Sequence, residues 1–502
     1  MIPIDTDWIK KWAVYSPERM AFREYDRALE WTYSDINQRV NAMAFQLQHE
    51  YNIKKNDRIA VFSKNRAEYI FLFFACMKLG AVLVPLNFRL MPRETEALLT
   101  DAKPHLLFYE ENLAGSFQAV KQWSGARKAL PIEKLEFFLS GKAAQHDTYK
   151  PPTVASEDDT VMVLYTSGTT GIPKGAMINH RMLFWNSLNT GLRLDLTSQD
   201  HTQSFAPFFH TGGWNVLLTP FIHHGGSHTL LSSFDSDLIL ELMEKERSTL
   251  LFGVPTMMQM IADTPGFKKA DLSSVRYAIV GGSPMPISLI ETWHKKGIAI
   301  RQGYGLTEVG PNCFSLHQDD AIRKIGSIGF PNFYVQASIR DESGGLCQDN
   351  EVGELWLRGP VVTPGYWANE TATGEAITDG WFHTGDMVRR DNEGYYYVVD
   401  RKKNMYISGG ENIYPAEVEN FLYDHPKIKE VAVIGVTDQK WGEVGKAFVV
   451  LRDNSALTGE DLKNFCSGQL AKYKIPKYFK FVCTLPKNEA GKIDRRKLTE
   501  SG

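Results

Sequence analysis

The sequence predicts an α/β protein: a large N-terminal α/β region, a small antiparallel β subdomain at about 335–400, and a compact α+β module after Arg401. Three observations carry this reading. Short apolar runs alternate with helical stretches from Asp57 to Tyr109, the pattern that builds parallel strands covered by helices. From Val335 to Val399 the spacing shortens to alternating strands broken by turn signals such as D-E-S-G-G (341–345) and D-N-E-G (391–394). After Arg401 about 100 residues remain, enough for an independent α/β module.

Taken in order, I-A-V-F-S (59–63) and A-V-L-V-P (81–85) are short strands flanking a helix from Ala67 to Leu79. Pro92 suits the first turn of the next helix, before H-L-L-F-Y at 105–109. Residues 111–157 are less periodic and read as a connection ending at Lys150, Pro151 and Pro152. V-M-V-L-Y (161–165) and G-A-M-I-N (175–179) read as two strands joined by a loop, followed by a helix from Arg181 to Leu192. S-F-A-P-F-F-H-T-G-G-W (204–214) reads as an apolar strand ending at His210. L-L-F-G-V-P-T-M (250–257), Y-A-I-V-G-G-S-P-M-P (277–286) and A-I-R-Q-G-Y-G-L-T-E (299–308) each run a strand into a Gly- or Pro-rich loop. Ligands of open α/β sheets bind beyond the carboxyl ends of strands, so these loops are candidates for one crevice. In the last module the pattern gives a helix from Pro415, strands near 430–436 and 445–451, a helix near 459–472 and a strand near 479–483.

The chain has 502 residues, too many for one hydrophobic core. A net charge of −3 gives no general basic footprint for nucleic acid, although Lys472, Lys474, Lys477, Lys480, Lys487, Lys492, Arg495, Arg496 and Lys497 crowd the C-terminus. Such a patch is ordinarily a solvated face, and here it is also a candidate receiver of a phosphorylated ligand. Cys76, Cys313, Cys347, Cys466 and Cys483 are odd in number and scattered, without the spacing of a disulfide framework or zinc site. The spacing of His223, His224 and His228 likewise matches no zinc pattern. The first residues lack the apolar core of a signal peptide, and the longest apolar run, Tyr69 to Met77, is short of the roughly 20 residues a membrane helix needs. The expectation is a soluble cytoplasmic protein with no membrane span and no nucleic-acid partner; a homodimer is allowed.

The most specific stretch is Y-T-S-G-T-T-G-I-P-K-G-A, Tyr165 to Ala176. Thr166, Ser167, Thr169, Thr170 and Lys174 offer hydroxyl donors and a cation, and Gly168, Gly171 and Gly175 free the backbone to turn N–H groups inward, which is what triphosphate oxygens require. It is not a Walker A loop. Gly175 rather than Ser or Thr follows the lysine, and the flanks read as strands rather than as strand and helix.

The dodecapeptide resembles the signature of the adenylate-forming superfamily, and further motifs of that family follow in order to Lys492, in its acyl-CoA synthetase branch. The resemblance implies a large N-terminal domain (1–401) of two α/β subdomains with a small β-barrel-like subdomain. A small mobile α+β domain (402–502) would follow, with a hinge near Lys403. In G-Y-G-L-T-E it implies that Gln302, Gly303 and Tyr304 line the adenine site, that Thr307 reaches the α-phosphate, and that Glu308, with Thr166, holds Mg²⁺. Ser283 and Asn412 would also meet the nucleotide, and Asp386 in H-T-G-D and Arg401 the ribose. Gly409, Gly410, Trp441, Tyr473, Lys477 and Arg89 are implied coenzyme A contacts; Ile475 departs from relatives with arginine there. Lys492, in P-K-N-E-A-G-K-I, matches the adenylation lysine, and with Lys174, Thr307, Glu308 and His210 completes the implied catalytic set. Each short motif has a plain structural reading of its own: a bare T-G-D is a common turn, and a lysine in a basic tail is usually solvated.

The implied activity is an ATP-dependent acyl-CoA synthetase: acid and ATP give acyl-adenylate and pyrophosphate, then coenzyme A displaces AMP. His210, Gly212, Gly281, Gly282 and Gly305 are the implied acid pocket. Gly305 stands where acetate-activating relatives place tryptophan, so the expected acid is larger than acetate or propionate: a medium- or long-chain fatty acid or an aryl acid. No acidic residue lies between Phe205 and Trp214, where amino-acid-activating relatives hold an amine. Competing readings are an acyl-AMP ligase loading a carrier protein, a luciferase-like oxygenase, and a non-catalytic nucleotide-binding protein.

Overall fold

The computed structural model describes residues 4–113, 128–139, 149, 155–166, 173–282, 285–408, 411–452, 455–467, 469–487 and 493–500. They gather into two compact units, residues 1–337 with 357–382, and residues 338–356 with 383–502. The expected division at 401 assigns 338–356 and 383–401 differently, and Lys403 falls inside the second unit. The fold class is mixed α/β, with large N-terminal and small C-terminal domains.

In the first unit the helix Ala67–Leu79 fills the predicted range and is buried on nearly every side. Apart from Glu68 and Lys78 at its ends its sequence is apolar all round, which only a helix inside a core can satisfy. It packs beside a six-stranded sheet ordered Lys128–Pro131, Leu106–Tyr109, Arg58–Phe62, Val82–Pro85, Thr160–Thr166, Lys174–Asn179. The first five strands run parallel and the last antiparallel. The strand Lys128–Pro131 lies in the stretch read from sequence as a plain connection. Only Leu130 of its four residues is buried, so its apolar signal is weak.

A second sheet pairs Leu250–Gly253, Tyr277–Val280 and Ala299–Leu306 in parallel, then folds Gly310–Ser315 back antiparallel. A third contains Met20–Glu24, Ser227–Leu230 and His201–Ser204. Its last strand corrects the sequence reading: it ends at Ser204, not His210. The apolar run beyond it is a turn buried by tertiary contacts, with Asn65 accepting from the Phe208 N–H (3.0 Å) and donating to the Ala206 carbonyl (2.9 Å).

In the second unit residues 386–390 pair antiparallel with Tyr396–Arg401. Beyond it, Ile428–Asp438 and Gly442–Leu451 form a long hairpin, with Tyr406–Ser408 antiparallel and Tyr478–Phe481 parallel to its second strand. Helix Pro415–Tyr423 starts at its proline as expected, and the Asp400 carboxylate accepts the Ala416 N–H at 2.7 Å. The second helix, Gly459–Cys466, is shorter than predicted; a separate turn, Lys472–Lys474, takes up the remaining helical signal. The cysteines at 76, 313, 347, 466 and 483 are all free.

Candidate functional site

The cradle joins two strands, as its flanking sequences require: Tyr165 pairs with Gly175 and Thr166 with Lys174. Ser167, Gly168, Thr169, Thr170 and Gly171 lie outside the described residues, as do Ser283, Gly409, Gly410 and Lys492. At the rim of the hairpin the Thr166 hydroxyl is 3.3 Å from Glu308 Oε1 and 3.4 Å from the Lys174 carbonyl. Glu308 sits in the short turn Thr307–Val309 between two strands and is only 9 % exposed. Thr307 and Glu308 are thus delivered beside the cradle by a hairpin. Tyr366, outside every motif singled out in the sequence, donates to the same Glu308 oxygen at 3.1 Å. Its ring lies under the Lys174 ammonium, 5.2 Å from the ring centre. Thr166 and Glu308 offer only oxygen donors, the set a magnesium ion prefers, usually completed by substrate phosphates.

Behind this cluster Gln302 is buried, Gly303 pairs with Ser315, and the Tyr304 ring stands edge-on to Phe314 at 5.7 Å. The backbone carbonyl of Gly303 comes close to Gly281: a methyl there would lie 3.5 Å from that oxygen. Gly282 has φ +83°, a conformation glycine tolerates and other residues resist. Gly305 has a backbone reason of its own to be glycine. A side chain at this position would begin 2.4 Å from the backbone of Gly310 and Pro311, so glycine is required by the facing strand. Its smallness is therefore no measure of room for an acid, since any side chain here first requires the facing strand to shift.

The His210 loop forms a separate wall. Trp214, fully buried, donates its indole N–H to the Phe208 carbonyl at 2.6 Å, and Gly213 donates to His210 at 3.0 Å. Residues Gly212–Val216 make one π-helical turn, a geometry common at functional sites. The turn is braced by two amides: the Asn215 carbonyl accepts from the buried Asn186 Nδ2 at 2.7 Å and from Asn312 Nδ2 at 3.3 Å, linking the turn to the Gly310–Ser315 strand. A narrow cleft opens beside it, lined by Ser204, Phe205, Gly212, Leu217, Leu218 and Phe252. A methyl on Gly212 would face the Phe252 ring at 3.5 Å, an ordinary contact. The Arg89 guanidinium lies over Phe88 and Phe209, 5.6 Å from each ring. His223 stacks on Trp8 at 4.2 Å and bonds Ser187 at 2.8 Å, while His228 bonds Ser204 at 2.9 Å.

In the second unit Asp386 and Arg401 face each other in register on adjacent strands, and the guanidinium closes on the carboxylate. Asp386 is 2 % exposed, so this pair is a built feature rather than a surface accident. Beside them Glu354 accepts from the Gly385 N–H (3.1 Å) and Lys402 (3.0 Å). Burial, together with the charges of Arg401 and Arg496, pulls the Lys403 ammonium pKa below its ordinary value. Trp441 is half exposed, with Lys440 over its ring at 4.8 Å. Its backbone N–H and the Lys477 ammonium both reach the Asp438 carboxylate. Tyr473 is exposed, and so is Asn412 on the short strand Glu411–Ile413.

The C-terminal cations are less open than the sequence suggests. Lys474 pairs with Glu417, Lys487 with Glu430 and Arg495 with Glu419. These carboxylates come from elsewhere in the module, which is why the sequence run reads as unpaired. Among the described residues no helix is long and apolar enough to cross a membrane.

A model of the AMP-binding enzyme family matches residues 9–367, and one of the AMP-binding enzyme C-terminal domain matches residues 417–492. Feruloyl-CoA synthase from an Amycolatopsis species is 40 % identical over 486 residues, covering 97 % of this chain and 96 % of that protein. A long-chain-fatty-acid–CoA ligase from Mycobacterium tuberculosis is 33 % identical, covering 98 % and 97 %. Among solved structures, O-succinylbenzoate coenzyme A synthetase from Bacillus subtilis in complex with ATP and magnesium superimposes with a TM-score of 0.88. It is 31 % identical, with 98 % of this chain and 99 % of that one covered.

Proposed function

The chain belongs to the AMP-binding enzyme family and is an AMP-forming acid:CoA ligase, and from that premise we propose that its acid carries an aromatic ring. The observation that carries this reading is the likeness to an aryl-acid ligase; the cleft beside the π-helical turn, with Phe205 and Phe252 among its apolar walls, holds only about 10 Å³ in this structure and must widen to admit a ring. The 40 % identity to a feruloyl-CoA synthase, against 33 % for the long-chain-fatty-acid–CoA ligase, supports it.

The proposed chemistry runs in two steps. An acid carboxylate oxygen attacks the α-phosphorus of ATP as the bond to pyrophosphate breaks, giving the acyl-adenylate. No base is needed, because the nucleophile is already an anion; the work is charge neutralisation by donors held in place beforehand. The coenzyme A thiol, its proton given up to water, then attacks the acyl carbon as thiolate and AMP departs with the bonding electrons. Lys174 and the cradle hydroxyls are the proposed ligands of the leaving phosphates, Thr307 of the α-phosphate, and Gln302, Gly303 and Tyr304 of adenine. Asp386 and Arg401 are assigned to the ribose, supported by their pairing. Thr166 and Glu308 would hold magnesium, which when bound supplies positive charge to the phosphates. Trp441, Tyr473 and Lys477 are proposed for coenzyme A; the exposed rings of Trp441 and Tyr473 support this. A boundary near 401 and a hinge at Lys403 belong to the same reading. Lys403→Pro, which fixes φ there, should slow thioester formation more than adenylate formation.

The deciding experiment offers a panel of aryl, medium-chain and long-chain acids and measures pyrophosphate release and CoA thioester in the same reactions. The reading expects kcat/KM for ring-bearing acids about 10-fold or more above fatty acids, the scale of a well-filled pocket. The opposite ranking removes the aryl assignment, and pyrophosphate without free thioester points to a carrier protein as acceptor. Lys492→Ala should cut adenylate formation by about 100-fold or more while sparing thioester formation from synthetic acyl-adenylate; equal loss in both overturns that role.

A further inference from the structure

Tyr366 is held on both sides by the machinery it touches. Its backbone bridges to Ala176 of the cradle hairpin. Next to it the Trp367 N–H donates to the Gly175 carbonyl at 2.7 Å, and the Met177 N–H to the Gly365 carbonyl at 3.0 Å. Thr363, three residues before, donates its N–H to the Glu308 carbonyl at 2.7 Å and its hydroxyl to the Met177 carbonyl at 2.6 Å. The segment 363–367 therefore fastens the cradle's second strand to the turn that carries Glu308. From it Tyr366 sends one group to each charged side chain: its hydroxyl to Glu308 Oε1, and its ring to the Lys174 ammonium.

Both contacts orient a charge without cancelling it. A neutral hydroxyl aligns a carboxylate that remains an anion, and an aromatic face attracts an ammonium that remains a cation. Direct pairing of Lys174 with Glu308 would neutralise both.

We propose that Tyr366 is a positioning residue for adenylate formation, its hydroxyl fixing the Glu308 carboxylate for magnesium and its ring fixing Lys174 for the phosphates. This rests on the reading of Glu308 as the magnesium carboxylate.

The test is calorimetric ATP binding to the full chain with and without magnesium, alongside pyrophosphate release against magnesium concentration. Tyr366→Phe keeps the ring and loses the hydroxyl. It should cut the magnesium-dependent gain in ATP affinity by about 10-fold, the scale of a hydrogen bond to a charged group, leave magnesium-free binding unchanged, and regain turnover in excess magnesium. Tyr366→Leu should in addition weaken magnesium-free ATP binding about 3-fold or more, because Lys174 loses its ring. Glu308→Gln should abolish the magnesium gain. If it does not, the reading of Glu308 falls, and this inference with it. If Glu308→Gln abolishes the gain while Tyr366→Phe keeps it at the wild-type value, with or without a lower Tm, Tyr366 is a packing residue and the inference alone is overturned.

Discussion

A methyl group placed on Gly305 would lie 2.4 Å from the backbone oxygens of Gly310 and Pro311; one placed on Gly212 would meet nothing nearer than the Phe252 ring at 3.5 Å. Gly305 sits near the end of the strand Ala299–Leu306 and Gly212 opens the π-helical turn, and from sequence both read as space left for the acid. They differ in what faces them. The hairpin carrying Thr307 and Glu308 brings two backbones together, so Gly305 answers to the chain itself. The His210 loop turns through a π-helical stretch braced by Asn186 and Asn312, and there Gly212 faces a cleft. Small size alone cannot tell the two cases apart; the direction of the missing Cβ does.

The largest expected effect lies on the hairpin. Gly305→Ala forces backbone apart at a place where no side chain can give way, and should cost about 3 kcal/mol, the upper range for an overpacked site. Chemical denaturation measures it, and a variant as stable as the parent would erase the distinction between the two glycines.

Acid should separate the regions next. His228 sits beneath the cleft, bonded to Ser204 at 2.9 Å and packed on Phe221, and burial pulls its pKa down to about 3. Nearby His201 is pulled down to about 4, again by burial. The hairpin 303–311 carries no histidine. In the unfolded chain a histidine takes up its proton near pH 6.5, whereas folded His228 resists until far lower. The unfolded state then binds more protons, so stability is full above pH 6.5 and is lost as pH falls towards 3. The slope is at most about 1.4 kcal/mol per pH unit for each such group. Hydrogen exchange at pH 7 and pH 5 should show residues 217–230 loosening before residues 303–315. His228→Gln should flatten the dependence, and equal loosening of both regions would count against it.

What the sequence displays and what it hides follow the same division. The helix Ala67–Leu79 and the cradle hairpin were legible because their signal is local, an unbroken apolar run in one case and strand–turn–strand chemistry in the other. Asp386 and Arg401 were legible as a pair only through the family pattern, and their strands set them in register. The apolar run 204–210 misled because burial, rather than strand pairing, explains it. Tyr366 was invisible, since its part is created by a strand bridge to Ala176, far away in the chain. Pairing of Lys474, Lys477 and Arg495 was invisible for the same reason: each carboxylate partner arrives from a distant strand or helix.

The smallest effect probes Gly212 and Phe252 together. Gly212→Ala adds a methyl at ordinary contact distance, so Tm should hold, while KM for a ring-bearing acid rises about 3- to 10-fold, the scale of one methyl in a filled pocket. Phe252→Ala removes the opposing ring and should relax the choice of acid toward bulkier ones. If the two residues bound the same space, the double variant recovers part of the affinity lost by Gly212→Ala, and the double-mutant cycle yields a coupling rather than a sum. KM for ATP is the control, because neither residue touches the Thr166–Glu308–Tyr366 cluster. Additive effects, or a rise in KM for ATP equal to that for the acid, would mean that the methyl disturbs the loop as a whole, and Gly212 would then join Gly305 as a residue the backbone demands.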